Sequence, residues 1–208
     1  MTTAGILLAA GRGRRFDPSG ARNKLLEPVA GTLVAGTPVG VASARAMLAF
    51  LECVIAVVGP GDDALADALR AAGCQVVLCP DADKGMAASL VYAVRRSLPE
   101  ANAWLIALAD MPYVTPSTIA ALCRAIDAGA VIAAPVCSGR RGNPVAFAAL
   151  HLPALLALQG DAGARGILRD NPVTEVAVDD PGIFHDIDTP SDLHKTVTLP
   201  VRGQAERS

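Results

Sequence analysis

The sequence predicts an α/β domain whose mostly parallel sheet carries helices on both faces. Three observations lead there. Short apolar runs recur along the first two thirds of the chain, and each ends in a turn signal. Helical segments, opened by cap residues or by threonine-proline pairs, separate them. The chain has 208 residues, 52% hydrophobic and 18% charged, enough apolar material for one core. Alternating units of this kind are joined by right-handed crossovers into a layered sheet.

Thr3 to Ala9 is a continuous apolar run ended by glycine, as expected of a strand buried on both faces. Thr37-Pro38 offers an N-cap followed by proline at the first helical position, so a helix is expected over Val39 to Leu51. Cys53 to Val58 is the second strand. After the Gly59-Pro60-Gly61 turn, Asp62 can cap a helix over Asp63 to Ala72, which Gly73 ends. Gln75 to Cys79 is the third strand, and Lys84-Gly85-Met86 opens a helix to about Leu98 that Pro99 stops. Ala103 to Ala109 is the fourth strand. Thr115-Pro116 repeats the cap-and-proline start for a helix to Ala128, ended by Gly129, and Ala130 to Val136 follows as a strand. The last third is less regular: a short strand over Asn143 to Phe147, helices over Leu152 to Leu158 and Ala162 to Asp170, a strand over Val173 to Val178, and a terminal helix from Thr189-Pro190. Residues 1–197 are expected to form the domain and 198–208 a disordered tail.

Composition narrows the function classes. A net charge of −2 disfavours a bulk polyanionic partner such as nucleic acid, so an anion site has to be a local cluster. The five cysteines include no C-x-x-C pair and sit in or beside apolar segments, which suits core residues in a reducing compartment. No basic segment precedes the first apolar run, and no stretch approaches the ~20 apolar residues needed to cross a bilayer. A cytoplasmic protein that binds neither membrane nor nucleic acid is expected.

The local cluster lies between Leu7 and Lys24, where Gly11 and Gly13 are interleaved with Arg12, Arg14, Arg15 and Arg22, against one acid, Asp17. In open α/β sheets ligands bind beyond the carboxyl ends of the strands, and this loop follows the first strand. Its glycines permit close backbone approach, and its N–H groups and cations suit a polyphosphate. The third glycine of G-x-G-x-x-G and the G-K-[ST] of a P-loop are both missing. Lys24, Lys84 and Lys195 are the only lysines, and a point-like ammonium in a loop suits a phosphate oxygen. Asp110 follows the fourth strand, where a carboxylate beside a polyphosphate site suits Mg²⁺.

Six segments together resemble the molybdenum-cofactor nucleotidyltransferases, a MobA-like NTP transferase family, and most closely its cytidylyltransferases. They are Leu8-Ala9-Ala10-Gly11-x-Gly13-x-Arg15-Phe16 with Lys24, Lys84 to Leu90, Ala109-Asp110-Met111-Pro112, Gly142-Asn143-Pro144-Val145, Gly160-Asp161-x-Gly163-Ala164-Arg165 and Asp186-Ile187-Asp188-Thr189-Pro190. The resemblance implies a three-layer, Rossmann-like nucleotidyltransferase fold. It also implies transfer of CMP from CTP to the phosphate of a molybdopterin-type cofactor, with release of pyrophosphate and Mg²⁺, or Mn²⁺, as cofactor. Leu8, Ala9, Ala10, Gly11, Gly13, Arg15 and Lys24 would hold the nucleotide, with Gly85 and Ser89 at the ribose or base. Asp110 would bind the metal, Arg15, Lys24 and Asp110 would form the catalytic set, and Asp188 would be a second metal ligand or else the cap of the last helix. Asn143, Asp161 and Arg165 would face the acceptor, Asp161 also reading as an N-cap.

Ala10, where guanosine-using relatives have glycine, resembles the cytidine users. Two departures stand out: Asp17 replaces a glycine and Asp17 to Asn23 lengthens the spacing to Lys24, while Asn143 replaces a frequent histidine. An acceptor phosphate is already deprotonated, so no catalytic role is expected for His151, His185 or His194. A molybdenum hydroxylase-type enzyme would receive the product. The competing readings are another nucleotide or phosphorylated acceptor, a non-catalytic cofactor-delivery module, and a nicotinamide-dependent reductase.

Overall fold

A computed structural model describes residues 2–11, 13–30, 34–98, 100–161 and 163–194. Pro99, Arg12, Lys195 and the expected tail lie outside these residues. The strands are β1 (Thr3–Leu8), β2 (Val54–Val58), β3 (Gln75–Leu78), β4 (Ala103–Leu108), β5 (Ile132–Cys137), β6 (Arg140–Arg141), β7 (Val145–Ala148) and β8 (Thr174–Ala177). The helices are α1 (Val39–Leu48), α2 (Asp63–Ala72), α3 (Met86–Ser97), α4 (Pro116–Asp127), α5 (Leu152–Leu156) and α6 (Arg165–Asp170).

One sheet runs β3-β2-β1-β4-β7-β5-β6, with β8 pairing β5. The pairs among β1 to β4 and the β5–β8 pair are parallel, while β7 runs antiparallel to both β4 and β5. Alternating strand residues feed two cores, as the two-residue period of a strand dictates. Leu7, Ala56 and Leu105 pack with Met47, Leu69 and Leu122 from α1, α2 and α4. Ile6, Ile55 and Trp104 pack on the other face with Leu90, Leu155 and Ile167 from α3, α5 and α6. This is the three-layer α/β arrangement expected from the sequence.

The helix starts differ from expectation in a consistent way. Pro38, not Thr37, is the cap residue of α1, without a side-chain bond. Asp62 and Thr115 stand at the cap positions of α2 and α4, and neither side chain caps. Both are used across the fold instead. The two-residue strand β6 was missed because exposed arginines carry no apolar pattern.

Asp180 is a further residue that sequence reasoning passed over. It is 1% exposed, and its Oδ2 accepts bonds from Thr115 N–H at 2.9 Å, Thr115 Oγ1 at 2.8 Å and Thr118 Oγ1 at 2.6 Å. Its Oδ1 accepts from Gly182 N–H at 3.0 Å. This pins the segment after β8 to the start of α4 and sends it back over the carboxyl edge of the sheet. Asp180→Ala strands several buried donors, so urea denaturation is expected to show a loss of about 3 kcal/mol. A loss below about 1 kcal/mol would mean that the pin is dispensable.

Burial accounts for the thiols. All five cysteines are free, four are buried and Cys53 is half-buried. Desolvation pushes the Cys74 and Cys123 thiols up to about 11.

Candidate active site

Lys24 opens a single 3₁₀ turn, Lys24–Leu26, in which the Asn23 side chain accepts a bond from Leu25 N–H at 3.0 Å. Gly13 has φ +55°, a conformation that favours glycine, and the Lys24 stem lies beside it. Lys24 is 8% exposed. Its ammonium donates to Asp110 Oδ2 at 2.7 Å and to the Ile187 carbonyl at 2.8 Å, and lies 3.6 Å from Asp188 Oδ1. Arg15, on the rim, donates from Nη1 to Asp188 Oδ2 at 2.6 Å. The backbone closes the same junction: Ile187 N–H donates to the Asp110 carbonyl at 2.8 Å.

Two carboxylates this close repel unless a cation lies between them, and Lys24 supplies it. The alternative reading of Asp188 as a helix cap fails, because Asp192 does that work. Asp192 Oδ2 accepts from Thr189 N–H at 2.6 Å, from Thr189 Oγ1 at 2.7 Å and from Asp188 N–H at 3.1 Å. The spacing Thr189-x-x-Asp192 is that of a capping box and was the available signal. With its backbone held by Asp192, Asp188 points its own carboxylate at Lys24 and Arg15.

The extended Asp17–Asn23 segment folds on itself. Asp17 Oδ1 accepts from the Ser19 hydroxyl at 2.6 Å and Ser19 N–H at 2.9 Å, and Oδ2 from Arg22 N–H at 2.8 Å. The Ser19 hydroxyl, then the Arg22 N–H, hold the Asp17 carboxyl below its ordinary range. Arg22 pairs with both Glu27 carboxylate oxygens, at 2.9 and 2.8 Å, and lies over the Phe16 ring. The longer loop therefore leaves Lys24 within reach of Asp110.

A cavity of about 250 Å³ opens above these groups. Of the residues expected around the nucleotide, Leu8, Gly11, Gly13, Arg15, Lys24 and Asp110 line it, and Asp188 joins them. Arg14 and Leu25 line it too, although sequence reasoning gave them no separate role. Ala9 is 1% exposed within the core. Ala10, Gly85, Ser89, Asn143, Asp161 and Arg165 are not part of this lining. None of the three histidines is either; His151 is buried, and its Nε2 has no hydrogen-bond partner.

Of the remaining expected residues, Gly85 and Asp161 meet each other away from this lining. Gly85, at φ +113°, packs so closely on the Gly160-Asp161 turn that a Cβ would collide with the Asp161 carboxylate and the Gly160 carbonyl. Ala87 N–H donates to that carbonyl at 3.0 Å, and Ser89 is buried. Asp161 is no N-cap, since α6 begins at Arg165 with Ala164 before it. Arg165 is exposed, and Asn143 N–H donates to the Ile183 carbonyl at 3.1 Å.

Asp110 and Asp188 form an oxygen-only donor pair facing one point, which suits Mg²⁺ or Mn²⁺. Among the described residues no cluster of three or more His, Cys, Asp or Glu side chains is placed to hold a metal. A cation here fits with two carboxylates and with oxygens supplied by phosphate and water, the usual complement of Mg²⁺. Among the described residues no helix is long and apolar enough to cross a membrane.

The model of the MobA-like NTP transferase domain matches residues 5–176. Among solved structures, Rv0371c from Mycobacterium tuberculosis H37Rv is 31% identical, with 92% of this chain and 95% of that chain covered and a TM-score of 0.73. The structure of that protein in complex with manganese aligns at 29% identity over 92% and 96%, with a TM-score of 0.70. A nucleotidyl transferase from Methanothermobacter thermautotroptrophicus is 26% identical over 92% of this chain and 94% of that one, with a TM-score of 0.74. No curated protein matches the chain.

Proposed function

The chain belongs to the MobA-like NTP transferase domain family, and on that premise we propose that it transfers CMP from CTP to the phosphate of a molybdopterin-type molybdenum cofactor, releasing pyrophosphate. The observation that carries this reading is Lys24, one buried ammonium shared by Asp110 and Asp188 beneath the glycine loop. An acceptor phosphate oxygen attacks the α-phosphorus of the nucleotide, and the bond from that phosphorus to the bridging oxygen of the leaving pyrophosphate breaks. Two anions are driven together, so positioning and charge neutralisation supply most of the rate.

Each residue has a part in this. Lys24 and Arg15 exchange their carboxylate partners for triphosphate oxygens, and the backbone around Gly11 and Gly13 approaches the same oxygens. Asp110 and Asp188 are the residues that would hold Mg²⁺ or Mn²⁺. The metal supplies charge neutralisation at the phosphates. No residue is asked to remove a proton from the acceptor, whose phosphate is already ionised. Asn143, Asp161 and Arg165 serve the acceptor side, and Gly85 and Ser89 the ribose or base. Cytidine is favoured by the resemblance at Ala10, and the manganese complex of the Mycobacterium tuberculosis relative supports a divalent metal. Residues 1–197 act as the transfer domain, the free thiols support a cytoplasmic setting, and a molybdenum hydroxylase-type enzyme takes the product.

Calorimetry with CTP, GTP, ATP and UTP in Mg²⁺, followed by pyrophosphate release with molybdenum cofactor, tests the proposal. CTP is expected to bind about tenfold more tightly than the others, and pyrophosphate release to require the acceptor. Preference for GTP would overturn the base assignment. Release that another phosphorylated acceptor supports equally would overturn the acceptor.

A further inference from the structure

Asp62 follows a Gly-Pro-Gly turn and stands at the cap position of α2, yet makes no cap bond. Aspartate is among the best capping residues, so a side chain withheld from that use is a local preference overridden by something else in the fold. The competing partner is Asn23. Asn23 Nδ2 donates to Asp62 Oδ1 at 3.2 Å in a part-buried contact, while Asn23 Oδ1 accepts from Leu25 N–H at 3.0 Å. The Asn23 backbone carbonyl also accepts from Leu26 N–H at 2.9 Å. One side chain thus closes the turn that begins at Lys24 and ties that turn to the loop after β2.

Lys24 needs such support. Its flexible stem carries an ammonium that must stand within hydrogen-bond distance of Asp110 and of the Ile187 carbonyl at once. The preceding Asp17–Arg22 loop is closed on itself and on Glu27, so the tie to β2 runs through the next residue, Asn23. Burial holds the Asp62 carboxyl above its ordinary range, and the Asn23 N–H offsets only part of that rise.

We propose that Asn23 and Asp62 are positioning residues that hold the Lys24 ammonium at its working place in nucleotidyl transfer. The inference rests on the reading of Lys24 as a triphosphate ligand. A displacement of about 1 Å at a reacting centre lowers the rate by about 10²-fold, and a backbone tie one residue away governs displacements of that size.

Three substitutions separate positioning from fold support. Asp62→Ala removes the tie. Asp62→Ser also removes it, because the side chain is one carbon shorter, but offers a hydroxyl that can cap α2. Asp62→Asn keeps an oxygen that accepts from Asn23. Asp62→Ala and Asp62→Ser are expected to lower kcat by about tenfold, with KM for the nucleotide changed less than about threefold, while Asp62→Asn stays near wild type.

A second readout is independent of activity. Acetylation of Lys24, followed by mass spectrometry, is expected to run about tenfold faster in Asp62→Ala and Asp62→Ser than in wild type or Asp62→Asn. Wild-type kcat and labelling in Asp62→Ser would overturn the inference, as would equal losses in all three variants. If the wild-type chain binds no nucleoside triphosphate, the functional reading fails, and the inference for transfer fails with it. The labelling pattern then still decides whether the pair positions Lys24.

Discussion

Lys24→Met is expected to lower turnover by about 10³-fold while tightening the binding of Mg²⁺ or Mn²⁺ measured without nucleotide. The first effect follows, on the proposed function, from removing the buried cation that would meet the triphosphate. The second follows from geometry: the ammonium stands 2.7 Å from Asp110 and 3.6 Å from Asp188, where a divalent cation would compete with it. Without it, two carboxylates face each other and, among the described residues, Arg15 is the cation paired with them, largely exposed and screened by salt. A gain of about fivefold in metal affinity is expected, on the order of 1 kcal/mol, because both carboxylates remain partly open to water. The same repulsion should make the variant less stable when metal is withheld. Metal affinity by calorimetry and turnover by pyrophosphate release are the two measurements. A variant that loses turnover without gaining metal affinity would show that Lys24 and the metal do not share the carboxylates.

Asp110→Asn should produce the complementary pattern. The amide oxygen still accepts a bond from Lys24, so the site keeps its shape, but one negative charge is lost. Turnover is expected to fall by about 10³-fold, because a metal held by Asp110 as proposed would lose a carboxylate and would neutralise the charge at the transferring phosphate less. Nucleotide binding without metal should improve by about fivefold, since Lys24 is released from a charged competitor. A non-catalytic delivery protein would behave differently, keeping cofactor delivery to its partner enzyme in this variant. Retained delivery with unchanged nucleotide affinity would therefore sink the transfer mechanism. The pair of substitutions reads one ion triad from its two sides, and opposite cross-effects are the signature of shared partners.

The glycine loop, Lys24 and Asp110 were legible before the fold because their signals are local. An apolar run ended by glycine and arginine places a glycine- and arginine-rich loop, of a composition suited to an anion, at a strand end whatever the neighbouring strands do. Helices on both faces of the sheet were legible too, and the structure then shows two cores where the sequence reading spoke of one: alternation along β1, β2 and β4 sends Ile6, Ile55 and Trp104 to one face and Leu7, Ala56 and Leu105 to the other. The cap assignments were not. Asp62, Thr115 and Asp161 all carried the sequence signature of a helix start, and none of the three caps in that way. A short polar side chain in a cap position has two uses, one local and one distant, and the sequence records only the local one.

Sequence alone thus determined the three-layer architecture, the sheet edge on which the glycine loop lies, and two of the charged groups that meet there, because periodicity and turn chemistry act within a few residues. Tertiary structure alone decided that Asp188 meets Lys24 and Arg15, and that Asp180 returns the chain across the edge to make the meeting possible. It also decided that Asn23 reaches Asp62. These contacts join residues far apart along the chain, and their partners are set by how strands and loops are stacked. A carboxylate's direction in the fold depends on that stacking, which no local pattern encodes.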